Sequence, residues 1–61
     1  MEWIENQITK WATHYGRPNV NRADVKFQIQ ELTGFYQCEL NSETIQFAVH
    51  EIVQFEIAGE E

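Results

Sequence analysis

Ile45-Gln46-Phe47-Ala48-Val49-His50-Glu51-Ile52-Val53-Gln54-Phe55-Glu56-Ile57 is the stretch on which the fold turns. Ile45, Phe47 and Val49 alternate with Gln46, Ala48 and His50, and the phase resumes at Val53, Phe55 and Ile57. Alternation of this kind in β-branched and aromatic residues is the signature of a half-buried strand. The same residues carry a helical stripe, Ile45, Ala48, Val49, Ile52 and Val53, with Ser42 placed to cap it. Two periods therefore compete for one segment.

The neighbouring residues favour the strand reading. Val25, Phe27 and Ile29 alternate with Lys26, Gln28 and Gln30, and Tyr36, Cys38 and Leu40 alternate with Gln37 and Glu39. A two-residue turn at Ser42-Glu43 sets Leu40 opposite Ile45, Cys38 opposite Phe47 and Tyr36 opposite Val49. A second turn at Thr33-Gly34 sets Ile29 opposite Cys38 and Phe27 opposite Leu40. Both hairpins bring their apolar side chains to one face without adjustment, which is the cross-strand agreement a sheet requires. Glu51 would fall on that buried face, so the chain is expected to kink or bulge at His50-Glu51-Ile52. Strands are thus expected over 25–31, 35–40, 44–50 and 53–57, with a frayed tail at 58–61.

The first third of the chain reads differently. Ile4, Ile8, Trp11 and Tyr15 recur at helical spacing, with Trp3 and Ala12 beside them, so residues 2–15 are expected to be helical. Glu2 and Glu5 suit the first turn of that helix, and Lys10 and His14 its later part. Gly16 suits the position just past its end, and Pro18 disfavours helix at Arg17. The expected fold is α+β: one N-terminal helix, a loop at 16–22, and a small curved antiparallel sheet of three to four strands. The element order suits an SH3-like partial barrel by analogy of shape. A three-helix all-α bundle, with Asn21 capping a helix that runs to Gly34, is the alternative.

Length and composition restrict function. Sixty-one residues form one small domain with a marginal core. The 43% apolar fraction and four Phe, two Tyr and two Trp are too apolar for a disordered tail. A single Cys excludes a disulfide framework. The apolar runs are too short to span a membrane, and Met1 to Lys10 lacks the apolar core of a secretory signal, so a soluble cytoplasmic protein is expected. The net charge is −6, and it is unevenly placed. Residues 31–61 hold seven Glu and no Lys or Arg, whereas residues 1–30 are close to neutral. Direct binding of nucleic acid needs a basic face and is not expected.

Residues with chemical potential do not assemble into a catalytic pattern. Cys38 and His50 are expected on opposite faces of the sheet, with Cys38 an inert core filler between Ile29 and Phe47. His14, Cys38 and His50 have no metal-ligand spacing, no segment resembles a calcium loop, and the isolated glycines make no phosphate cradle. No cofactor, no metal and no enzymatic activity are expected. Lys10, Trp11, His14, Tyr15, Arg17, Arg22 and Lys26 form a basic, aromatic neighbourhood, but four cations in the whole chain make a thin footprint for single strands.

The outer face of the expected sheet is more informative. Leu32 would lie beside Phe35, with Phe35 opposite His50 and Ala48 close by, an apolar corner on a glutamine-rich surface. With Glu39 and Glu43 these are the candidate partner-binding residues. The expected function is a small acidic protein-binding module, of the kind phages and mobile elements use to inhibit or redirect host proteins. Its partner would be another protein with a basic surface, and a homodimer stays open. Two other readings compete. In one, Glu31, Glu39, Glu43, Glu51 and Glu56 mimic a row of phosphates in a basic groove. In the other, the chain is an accessory subunit of a larger complex.

Overall fold

The computed structural model of the chain describes residues 2–60. Three helices make the fold: α1 over Glu2–His14, α2 over Arg22–Gln30 and α3 over Ser42–Gly59. Among the described residues there is no strand, so the three-helix alternative replaces the helix-on-sheet fold and its SH3-like variant. Cross-contacts give the topology. Arg22, at the start of α2, meets Thr9 of α1, while Lys26 and Gln30 further along share a hollow with Glu5 and Ile4, so these two helices run antiparallel. Gln7 meets Ser42, and Tyr15 meets Gln46, so α1 and α3 run parallel. The result is an up-down-up bundle.

α1 occupies the segment its stripe predicts. Ile8 and Ala12 are buried, with Ile4, Trp11 and Tyr15 packed against the same core. Its end is a Schellman turn: the Arg17 NH donates to Ala12 O at 2.8 Å and the Gly16 NH to Thr13 O at 3.0 Å. Gly16 takes the left-handed conformation that closes it, with φ of 77°. The loop that follows is tied down at both ends. Val20 is buried in the core, and Arg17 pairs with Glu56 and Glu60 of α3.

The expected strand at 25–31 is helix α2. Its buried residues Val25 and Ile29 lie four apart, Leu32 follows three further on in the next turn, and Asn21 caps the helix by accepting the Asp24 NH at 3.2 Å. α2 runs on into a wider, π-helical turn over Glu31–Phe35, in which the Tyr36 NH donates five residues back to Glu31 O at 3.1 Å. Thr33 returns its hydroxyl to Ile29 O at 2.9 Å, a side-chain bond that competes with the regular ladder. The expected hairpin turn at Thr33-Gly34 is therefore helical, and the chain reverses three residues later at Gln37, whose φ is 58°. The expected strand at 35–40 is the end of this turn and the irregular link that leads to α3.

α3 runs unbroken through both segments read as strands, 44–50 and 53–57, and through the Ser42-Glu43 turn expected before them. Asn41, one residue before the expected cap, accepts the Thr44 NH at 3.0 Å. Ile45, Ala48, Val49 and Val53 are buried, with Ile52 packed beside them, so the helical stripe is the one that meets the core. The expected kink at His50-Glu51-Ile52 is unnecessary, because helical geometry carries Glu51 outward. The tail expected to fray is helical at Ala58 and Gly59, and Arg17 holds Glu60; Glu61 lies outside the described residues.

The core is entirely aliphatic: Ile8, Ala12, Val20, Val25, Ile29, Leu32, Ile45, Ala48, Val49 and Val53. Every phenylalanine is left out of it. Phe27 is 62% exposed, Phe35 76%, Phe47 52% and Phe55 71%. Tyr36, Leu40 and Ile57, also expected on the inner face of a sheet, are exposed as well. Cys38, expected as core filler, is an exposed free thiol.

Candidate functional site

The helical period redistributes the residues singled out from the sequence. Leu32 and Ala48 point inward and belong to the core. Phe35 is outside, at the end of the π-helical turn, where its ring meets Tyr36 edge to face at 4.9 Å. His50 is also outside, but it packs on Tyr15 of α1, with ring centroids 5.2 Å apart. The apolar corner of Leu32, Phe35, Ala48 and His50 thus does not form as a single surface. Glu39 and Glu43 remain exposed near the start of α3, where Thr44 donates its hydroxyl to the Glu39 carbonyl.

What the bundle does assemble is a pair of hollows on either side of Phe47. The first, of about 260 Å³, is lined by Leu32, Cys38, Glu43, Thr44 and Phe47. The second, of about 330 Å³, is lined by Tyr15, Glu43, Gln46, Phe47 and His50. Phe47 and Glu43 belong to both. Phe47 is placed here because α3 buries Ile45 and Val49 and turns the residue midway between them to solvent. Leu32 supplies the floor of the first hollow from the end of α2. In the second, Gln46 donates from Nε2 to the Tyr15 hydroxyl at 3.2 Å and so fixes the polar rim. Only Leu32, His50 and Glu43 among these were candidates from the sequence. Phe47 was placed in the core there, and no sequence signal marks it as a surface residue apart from its misfit with the helical stripe.

A further apolar hollow, of about 350 Å³, lies between α1 and α2, over Ile4, Ile29 and Leu40, and is rimmed by Glu5 and Lys26. Here the charges are internally matched. Lys26 and Arg22 both pair with Glu5, and the Lys26 ammonium holds the Glu5 carboxyl below the usual carboxylate range.

Cations elsewhere are consumed in the same way. Arg17 grips Glu60 with two hydrogen bonds, 2.8 and 3.2 Å long, and reaches Glu56 at 3.5 Å. That contact raises the Arg17 pKa and lowers that of Glu60. Glu56 also accepts the Asn21 backbone NH at 3.0 Å. Exposed pairs of this kind contribute little stability individually, but they decide where free charge remains. Lys10 stands over the Trp11 ring at 4.9 Å. The basic and aromatic neighbourhood read from the sequence is thereby divided: Arg17, Arg22 and Lys26 clamp the helices together, while Trp11, His14 and Tyr15 stack edge to face along α1. Around Phe47, by contrast, no cation pairs with Glu39 or Glu43 among the described residues.

Among the described residues no three His, Cys, Asp or Glu side chains group as they would to hold a metal ion. No helix there is long and apolar enough to cross a membrane. Comparisons of the chain with protein-family models, with curated proteins and with solved structures found no match.

Proposed function

We propose that the chain is a small acidic, non-enzymatic module that works in the cytoplasm by docking on another protein, in the manner of phage and mobile-element inhibitors and regulators. The observation that carries this reading is the position of the phenylalanines, all four of them more than half exposed. Burying one such side chain is worth about 1.5–3 kcal/mol. A chain of 61 residues, short of core by its size, forgoes more than half of that gain at each of four positions. Exposed aromatic side chains are what protein interfaces use as anchors. A surface of this kind fits a chain that completes its burial on a partner.

The phosphate-mimic reading has less support. Of its five carboxylates, Glu56 is engaged by Arg17 and by the Asn21 backbone, and the others are spread over the π-helical turn, the link and α3.

The test replaces Phe27, Phe35, Phe47 and Phe55 together with Gln, which leaves the aliphatic core untouched. Tagged wild-type and substituted chains are compared in affinity capture from a cell lysate at low and high salt, with mass spectrometry of the retained proteins. Proteins held by the wild type at both salts and lost with the variant support docking through these rings. Equal capture by both chains refutes it.

A further inference from the structure

We infer that the two hollows flanking Phe47 form one groove for a cationic amphipathic helix of the partner; this rests on the docking reading and names its face and its ligand. Three features of the groove point to that occupant.

The first is charge. Glu43 borders both hollows, and the backbone of the exposed Glu39 is tied by its carbonyl to Thr44, which lines the first. Residues 31–61 contain no Lys or Arg, so α3 and the link cannot neutralise these carboxylates. Arg17, Arg22 and Lys26 are occupied by Glu5, Glu56 and Glu60. The complement of this face is a surface that brings its own cations. A second copy, itself carrying a net charge of −6, would set carboxylate against carboxylate. Anionic lipid is repelled for the same reason.

The second is apolar lining. Leu32, Thr44, Cys38 and the Phe47 ring make the first hollow, and in the second the Tyr15 and Phe47 rings stand among the polar Gln46 and His50. Adjacent hollows that share a wall accept neighbouring apolar side chains from one helix face, at i and i+3 or i+4.

The third is the absence of a strand edge among the described residues. An extended peptide gains much of its affinity by adding a strand to a sheet, and it finds no such ladder here. A helix satisfies its own backbone and needs only side-chain contacts.

The probe is a synthetic helix of Leu and Lys, about 18 residues long to be helical when bound, with Leu at i, i+3, i+4 and i+7. Its control is a scrambled isomer of the same composition and charge. Binding to the 61-residue chain is followed by calorimetry and by backbone amide shifts, at about 0.05 M and about 0.5 M salt. The amphipathic peptide should bind more tightly than the isomer and shift Leu32, Cys38, Thr44, Phe47 and His50. Phe47→Ala should weaken it at least 30-fold or so, as loss of a central aromatic anchor does. Glu39→Lys with Glu43→Lys should weaken it mainly at low salt. Asn6→Ala, at an exposed position of α1 away from the groove, should leave it within about twofold. Circular dichroism of each variant confirms that the bundle is intact.

Equal binding of the scrambled isomer, an unaffected Phe47→Ala variant, or shifts centred on Ile4, Ile29 and Leu40 would each overturn the groove. So would a dimer in sedimentation that Phe47→Ala dissolves, since the occupant would then be a second copy. If capture of native partners survives Phe47→Ala but not Phe27→Ala or Phe55→Ala, docking stands and this groove falls. If it survives loss of all four rings, both fall.

Discussion

Ile45→Ala and Phe47→Ala, two positions apart on α3, should have opposite weights from those that residue size suggests. Ile45 is fully buried, and trimming it to Ala removes three carbon atoms, worth about 2.4 kcal/mol at about 0.8 kcal/mol each. A residual cavity adds roughly 1 kcal/mol, and the better helix propensity of Ala returns about 0.4 kcal/mol. The net cost is about 3 kcal/mol. Phe47 is already 52% exposed, so its removal forgoes about 1 kcal/mol, part of which Ala returns to the helix. A domain of this size has about 3–9 kcal/mol of stability in all, so the first change brings it near the edge of folding and the second hardly moves it. Urea titration followed at 222 nm separates them. With a slope of about 1 kcal/mol per molar, Ile45→Ala should lower the midpoint by about 3 M and Phe47→Ala by less than about 1 M. A cost for Phe47→Ala equal to that of Ile45→Ala would mean that positions 45 and 47 share the core, and the packing described for α3 would be wrong.

Gly16→Ala should cost about 1 kcal/mol, seen as a melting temperature lower by about 4–8 °C. Nothing lies within 4 Å of the added methyl, so the φ of 77° is the whole cause. The Glu5 and Glu60 carboxyls are held below their ordinary value of 4.5 by Lys26 and Arg17. The folded chain therefore binds these protons less readily than the unfolded one. Stability should be flat above that value and fall as the pH drops through the lowered values, and Lys26→Ala with Arg17→Ala should flatten this acid limb in a pH series of melts. Cys38 is exposed and should react with a thiol reagent in the folded state as fast as in urea; slow labelling that urea relieves would place it inside.

The N-terminal helix and its glycine turn were legible because the apolar residues of α1, Ile4, Ile8, Trp11 and Tyr15, are also the ones that pack on the core. In α2 and α3 that identity breaks down, and always at a phenylalanine. Val25 and Ile29 are a buried pair at i and i+4, and so are Ile45 and Val49. With Phe27 or Phe47 midway between, each pair becomes an apolar triplet at i, i+2 and i+4, which is also strand alternation. Only the assumption that a phenylalanine is buried selects the strand. Phe55 extends the false alternation in the same way beyond Val53. The residues that blur the period are the phenylalanines, each more than half exposed in the fold. Glu51 was the counter-signal: burying it required a kink, whereas a helix needs none. The apolar corner failed with the sheet, because Leu32 and Ala48 are core while Phe35 and His50 lie outside on different elements. Glu39 and Glu43 are exposed, Glu39 in the link and Glu43 in the first turn of α3.

This chain keeps an aliphatic core inside and its phenylalanine rings more than half exposed to water. Solvent paramagnetic relaxation on the isotope-labelled 61-residue chain measures that directly. The rings of Phe27, Phe35, Phe47 and Phe55 should relax strongly, while the methyls of Ile8, Val25, Ile45, Ala48 and Val49 stay silent. A silent Phe47 ring beside a strongly relaxed Ala48 methyl would contradict the account, since that is the pattern of a strand.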